Sequence, residues 1–230
     1  MKKSIFKKTV VVAVAVLTLF GAASCKKDKT ETAIDPRLKD IDGNIYDTIK
    51  IGTQVWMVQN LKTSKYNDGT PIPTGLSNAA WDSTRSGAYA IPNNDANNDS
   101  IYGKLYNWYA VNTGKLAPKG WHVPTDAEWT TLTTYLGGDN IAGLKMKAIT
   151  LWVPYTGITN TNSSGFTALP AGYRNYNGTP TPIGINGYFW SSTDYTPAFA
   201  KHLYMNYNFS NASISTLDKT FGYSVRCIKD

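Results

Sequence analysis

Cysteine, histidine and charge are all scarce in this chain. Its 230 residues hold two cysteines, Cys25 and Cys227, and two histidines, His122 and His202. A lone, widely separated cysteine pair supplies no disulfide framework, so an exported scaffold stapled by bridges is excluded. Two distant histidines make a poor zinc set, and no H-E-x-x-H motif occurs. A glycine-rich nucleotide loop and a G-x-S-x-G elbow are also missing. Charged residues make up 17% of the chain, and the only dense basic run outside the extreme N-terminus is CKKDK, Cys25 to Lys29. That run is too short for a nucleic-acid surface, so no nucleic-acid partner is expected.

Long apolar runs are missing too, with one exception. MKKSIFKK is followed by TVVVAVAVLTLFGAA, then Ser24 and Cys25. A basic head, a short apolar stretch and small residues before a cleavage point describe a signal peptide over residues 1–24. The AAS before Cys25 resembles a bacterial lipobox, which implies that Cys25 carries lipid and holds the protein to a membrane. Lys26 in place of an aspartate-type retention signal implies the outer membrane, facing either the periplasm or the cell surface. Losing residues 1–24 lowers the formal charge from +7 to +3. Residues 25–38 are polar and unpatterned and read as a flexible tether. Residues 39–230 are expected to form one monomeric domain.

Within that domain, IKIGTQVWMVQNL predicts two short strands joined near Gly52 and Thr53, with Val55 and Met57 on one face. Tyr102, Leu105, Tyr106, Tyr109 and Ala110 recur at three and four and predict a short helix. Thr125 to Glu128 is T-x-x-E, a capping box opening a helix that Gly137 and Gly138 end. IAGLKMKAI predicts another helix. GYFWSSTD, AKHLYMNYNFSNASIST and FGYSVRCIKD predict three antiparallel strands. The sum is an α+β unit with much ordered loop. Cys227 is expected to be buried as a small apolar side chain.

The blocks IGTQVWMVQNL, YGKLYNWYAV, GWHVPTDAEWTTL, GYFWSST and FGYSVRCIKD, in that order, resemble the Fibrobacter succinogenes major paralogous domain family, found in exported proteins of Bacteroidetes and Fibrobacteres. The resemblance implies a fold similar to C-type-lectin-like domains and formylglycine-generating sulfatase-modifying enzymes: a small twisted antiparallel sheet, two helices and long loops. It does not imply either activity. The sugar-binding triplets E-P-N and Q-P-D and the W-N-D block are missing, and no cysteine pair stands in the domain.

Four candidate sites remain. Asp95, Asn97 and Asp99 alternate as oxygen ligands, so a structural Ca²⁺ is weighed against a plain turn-rich loop; Gly and the terminal Glu of an EF-hand are absent. No other cofactor is expected. Ser191 or Ser192 with His202 and Asp194 is the one relay that can be drawn. His122 reads as a structural histidine or a ligand. Trp56, Trp108, Trp121, Trp129 and Trp190 lie in patterned blocks and are expected in the core. Trp81, Tyr89, Trp152, Tyr155, Tyr173, Arg174 and Tyr176 lie in irregular segments and are candidates for an exposed patch binding a glycan or an envelope protein. An enzyme on the sulfatase-modifying-like scaffold, with chemistry not yet recognised, and a purely structural envelope lipoprotein are the alternatives.

Overall fold

A computed structural model describes residues 38–230, together with Met1. The signal peptide, Cys25 and all of the tether but Leu38 lie outside the described residues. The chain divides into two units, Met1–Ile34 and Asp35–Asp230, and every described strand and helix belongs to the second.

The strands of that unit are β1 (Leu38–Lys39), β2 (Ile45–Tyr46), β3 (Thr48–Ile51), β4 (Gln54–Met57), β5 (Tyr89–Ala90), β6 (Leu105–Tyr106), β7 (Trp121–His122), β8 (Asn186–Asp194), β9 (Phe199–Asn206), β10 (Ser213–Asp218) and β11 (Ile228–Lys229). The helices are α1 (Asn78–Ser83), α2 (Asn97–Tyr102), α3 (Trp108–Val111), α4 (Asp126–Tyr135) and α5 (Asp139–Met146). This is a mixed helix and sheet fold built on several small antiparallel sheets. Strands run β3-β4-β11-β7 in one sheet and β10-β9-β8 in another, with two-stranded pairs β1-β2 and β5-β6. Among the described residues no helix is long and apolar enough to cross a membrane.

Local chemistry explains the regular pieces. Gly52, at φ 61°, turns β3 into β4. The Thr125 side chain accepts from the Glu128 amide, and the Glu128 carboxylate accepts from the Thr125 amide at 2.8 Å. That reciprocal pair satisfies two free donors at the start of α4. Gly137, at φ 101°, stops the helix. Gly143 sits inside α5, where glycine is costly. It is there because a Cβ would collide with the carbonyls of Ser210 and Asn211, so the helix packs directly on the β9-β10 turn.

Two apolar clusters lie on opposite sides of the sheet residues. Met57, Trp190 and Cys227 belong to one, and their chain neighbours Trp56, Phe189 and Ile228 to the other. Strand alternation does this: successive side chains leave on opposite faces. In the second cluster Trp56 stacks on Trp129 at 4.7 Å, with Phe166 edge-on to both.

Several expectations are corrected. Leu38, assigned to the tether, pairs with Tyr46. β4 does not show a single buried face: Trp56 and Met57 are both fully buried and Val55 only partly. The predicted helix around Tyr102 to Ala110 is interrupted, because Leu105 and Tyr106 pair with Ala90 and Tyr89 as a strand. Asn107 then caps the single turn of α3, its side-chain oxygen accepting from Ala88 and Ala110 amides. AKHLYMNYNFSNASIST is a hairpin, β9 and β10, not one strand. FGYSVRCIKD is not the third strand of that sheet. It passes between sheets through single bridges at Tyr223 and Ser224 and joins β4 and β7 only as β11. Tyr223 through Ile228 are all buried, so alternation there separates two cores and no exposed face exists.

Candidate functional site

Four of the five tryptophans expected in the core are buried; Trp121 is half-buried. The seven candidates for an exposed patch do not form one. Trp81 and Trp152 are buried, their indole N–H groups donating to the Thr220 and Ala168 carbonyls. Tyr89 is half-buried against Tyr106 with the Lys104 ammonium over its ring. Tyr155 is exposed but packs on Tyr207, beside exposed Leu151 and Val153.

Tyr173 and Tyr176 do come together with other rings. Tyr188 on β8 and Tyr204 on β9 are cross-strand partners, stacked at 5.3 Å. Tyr173 meets Tyr188 edge-on at 5.1 Å, Phe221 lies 5.9 Å from Tyr173, and exposed Tyr176 lies 5.8 Å from Phe221. Tyr173, Tyr188, Tyr204 and Phe221 are each half-buried. Beneath this tier are buried Tyr223, Trp190 and His202. Burial pushes the Tyr188 hydroxyl up to about 12 and the His202 imidazole down to about 4. Sequence reasoning missed Tyr188, Tyr204 and Phe221 as site residues. Along β9, alternation puts Tyr204 on the face of His202, opposite Leu203 and Met205, but the β8 partner comes from tertiary pairing.

Arg174 lies on the neighbouring segment, in a different setting. Its guanidinium sits 4.6 Å over the Trp81 ring and lines a cavity of about 340 Å³ with Thr74, Leu76, Asn78, Ile91 and Asn94, near the lower end of the ~300–1,000 Å³ usual for small-molecule sites.

The catalytic relay drawn from the sequence is not assembled. Asp194 is held by Lys219 at 2.7 Å, and the His202 Nδ1 has no partner. His122 is engaged on both sides: Nδ1 lies 2.7 Å from Asp230 and Nε2 lies 2.9 Å from Glu128. Two carboxylates ask both ring nitrogens to donate. Burial opposes the charge, but those hydrogen bonds outweigh it, and the His122 pKa is raised. Glu128 thus ties α4 to the β7 strand while it caps, a structural role.

The Asp95 to Asp99 segment is not a plain loop, since α2 begins at Asn97. Asp95 accepts from the Asn97 amide, and both Asp99 oxygens accept from the Lys104 ammonium at 2.8 Å. A cation here would compete with an ammonium already in place. Among the described residues no group of three or more His, Cys, Asp or Glu is placed to hold a metal.

Residues 49–229 match the family model of the Fibrobacter succinogenes major domain. No curated protein and no solved structure matches the chain.

Proposed function

Starting from the fact that the chain belongs to the Fibrobacter succinogenes major domain family, we propose that it is a lipid-anchored envelope module of C-type-lectin-like fold whose aromatic tier binds a glycan. The observation that carries this is the tier itself: Tyr173, Tyr176, Tyr188, Tyr204 and Phe221 gathered at the surface of β8 and β9. Such rings offer flat apolar faces to a sugar ring, and tyrosine hydroxyls add donors and acceptors at the rim. Further support for the fold reading comes from β3 and β4, which meet β11 in one sheet, and from the long span between α5 and β8 without a named element. The anchor reading rests on the AAS-Cys25 pattern. Cys25→Ser should move the protein out of the membrane fraction; a variant that stays there ends the lipoprotein reading.

The glycan reading is tested on a glycan array with the full chain in detergent, followed by titration of the best binder. Tyr204→Ala and Tyr176→Ala should each weaken it by roughly tenfold, the loss of about 1.4 kcal/mol expected for one ring contact. An array without binders, or a binder indifferent to both changes, refutes it.

A further inference from the structure

Among the described residues two arginines are buried without an acidic partner, and they are not alike. Arg226 is fully buried, and its guanidinium is saturated: it donates to Asn60 Oδ1 at 2.6 Å, to the Met57 carbonyl at 3.1 Å and to the Phe166 and Thr167 carbonyls. That is how this fold satisfies a structural cation. Arg174 is 6% exposed and is left short. One strong bond runs from Nη2 to the Leu76 carbonyl at 2.9 Å; contacts to Asn78 Oδ1 and Asn94 Oδ1 are long, at 3.4 Å; Nε has no acceptor. It takes part in no ion pair among the described residues.

A desolvated cation with unspent donors is unfavourable unless something anionic completes it. Here it also lines an open cavity. Asn78 and Asn94 turn their amide oxygens toward the guanidinium, which leaves each NH₂ group as a further donor at the cavity wall. Thr74, Gly75, Leu76, Ala90 and Ile91 complete a lining without a carboxylate. The Trp81 ring holds the guanidinium plane from behind. A planar fork flanked by amide donors matches a carboxylate in two-point geometry.

We propose that the Arg174 cavity binds a carboxylate, of the kind a uronic acid residue carries. The choice of a sugar acid rests on the glycan reading; the carboxylate does not.

The test is calorimetric titration of the full chain in detergent with sodium glucuronate, glucose and inorganic sulfate. Removing Arg174 itself risks the fold, so the main variant is Asn94→Asp. Asn94 is exposed and has a φ of 53°, a conformation that suits aspartate, and a carboxylate there completes the Arg174 ion pair internally. Glucuronate should bind at least about tenfold tighter than glucose or sulfate. Asn94→Asp should weaken glucuronate at least about tenfold without lowering the melting temperature. Equal binding of glucuronate and glucose overturns the proposal, as does sulfate binding as tightly, or unchanged affinity in Asn94→Asp. Glucuronate binding that survives Tyr204→Ala, in a protein that recognises nothing on the array, sinks the tier reading and leaves the Arg174 site standing.

Discussion

Replacing His202 with phenylalanine should remove most of the acid sensitivity that this domain shows between about pH 7.5 and about pH 4.5. The ring of His202 is 3% exposed and is surrounded by the Tyr188, Trp190 and Tyr223 rings. Among the described residues no acidic group pairs with it, its Nδ1 is unpartnered, and burial holds its pKa at about 4 against an ordinary 6.5. Because the folded value is depressed, the unfolded chain takes up the proton first. The neutral ring's contribution is therefore complete above about 6.5 and is lost as pH falls toward about 4. Between those two pH values the loss is about 2.5 kcal/mol. The other histidine acts with the opposite sign. His122 has a raised pKa, so its contribution is present below about 6.5 and fades as pH rises through the folded value. The depressed carboxylates Asp42, Asp68, Glu128 and Asp194 lose their contributions as pH falls below the ordinary carboxylate range and so act mainly beneath this window. Urea unfolding at the two pH values measures the difference. Wild type should lose most of that energy on acidification and His202→Phe should not, while phenylalanine keeps the ring contacts. If both proteins show the same pH slope, or if the His202 ring titrates near 6.5 by NMR, the burial argument fails.

Thr125→Ala should destabilise the domain by about 1 kcal/mol, the usual cost of an N-cap, and should shift the His122 resonances, because Glu128 loses the partner that orients it. Unchanged spectra would separate the cap from the His122 bridge. Arg226→Met strands the Asn60, Met57, Phe166 and Thr167 acceptors in the core. It should cost at least about 3 kcal/mol in urea unfolding, and a loss below about 1 kcal/mol would show that those carbonyls find other donors.

The parts of this fold legible from sequence are those with short-range causes. T-x-x-E announced α4 because both halves of the capping box lie within one turn. Gly52 and Gly137 announced a hairpin and a helix end because a positive φ is a local demand. β8 and β9 were legible because their alternation is long. Tyr102 to Ala110 misled because residues that fit a helical period are claimed by Tyr89 and Ala90, well over ten residues upstream. FGYSVRCIKD misled because its alternation is real but divides two cores. The site suffered most. The sequence around Trp81 and Trp152 reads as irregular, which suggests exposure, but Trp81 sits on α1, and the acceptors that bury the two indoles, Thr220 and Ala168, are fixed only by the tertiary structure.

Those indoles point to a wider rule in this protein. A fold with short strands and long loops has many backbone carbonyls outside any ladder, and buried carbonyls need donors. Here large side chains supply them. Trp81, Trp108, Trp152 and Trp190 each donate to a carbonyl of another segment, at 2.7 to 2.9 Å. Lys147 donates to the Asn206 and Phe209 carbonyls, and Arg226 to three more. Tryptophan abundance and buried cations are therefore consequences of the loop-rich architecture and carry no functional weight by themselves. What this demand leaves unexplained is narrower. Tyr173, Tyr188 and Phe221 cover the first core, but Tyr204 and Tyr176 extend their rings outward beyond that cover, and Arg174 keeps donors that the backbone does not use. Function belongs where the side chains exceed what the fold requires of them, and on that ground the tyrosine tier and the Arg174 cavity stand apart from the other aromatic and basic residues.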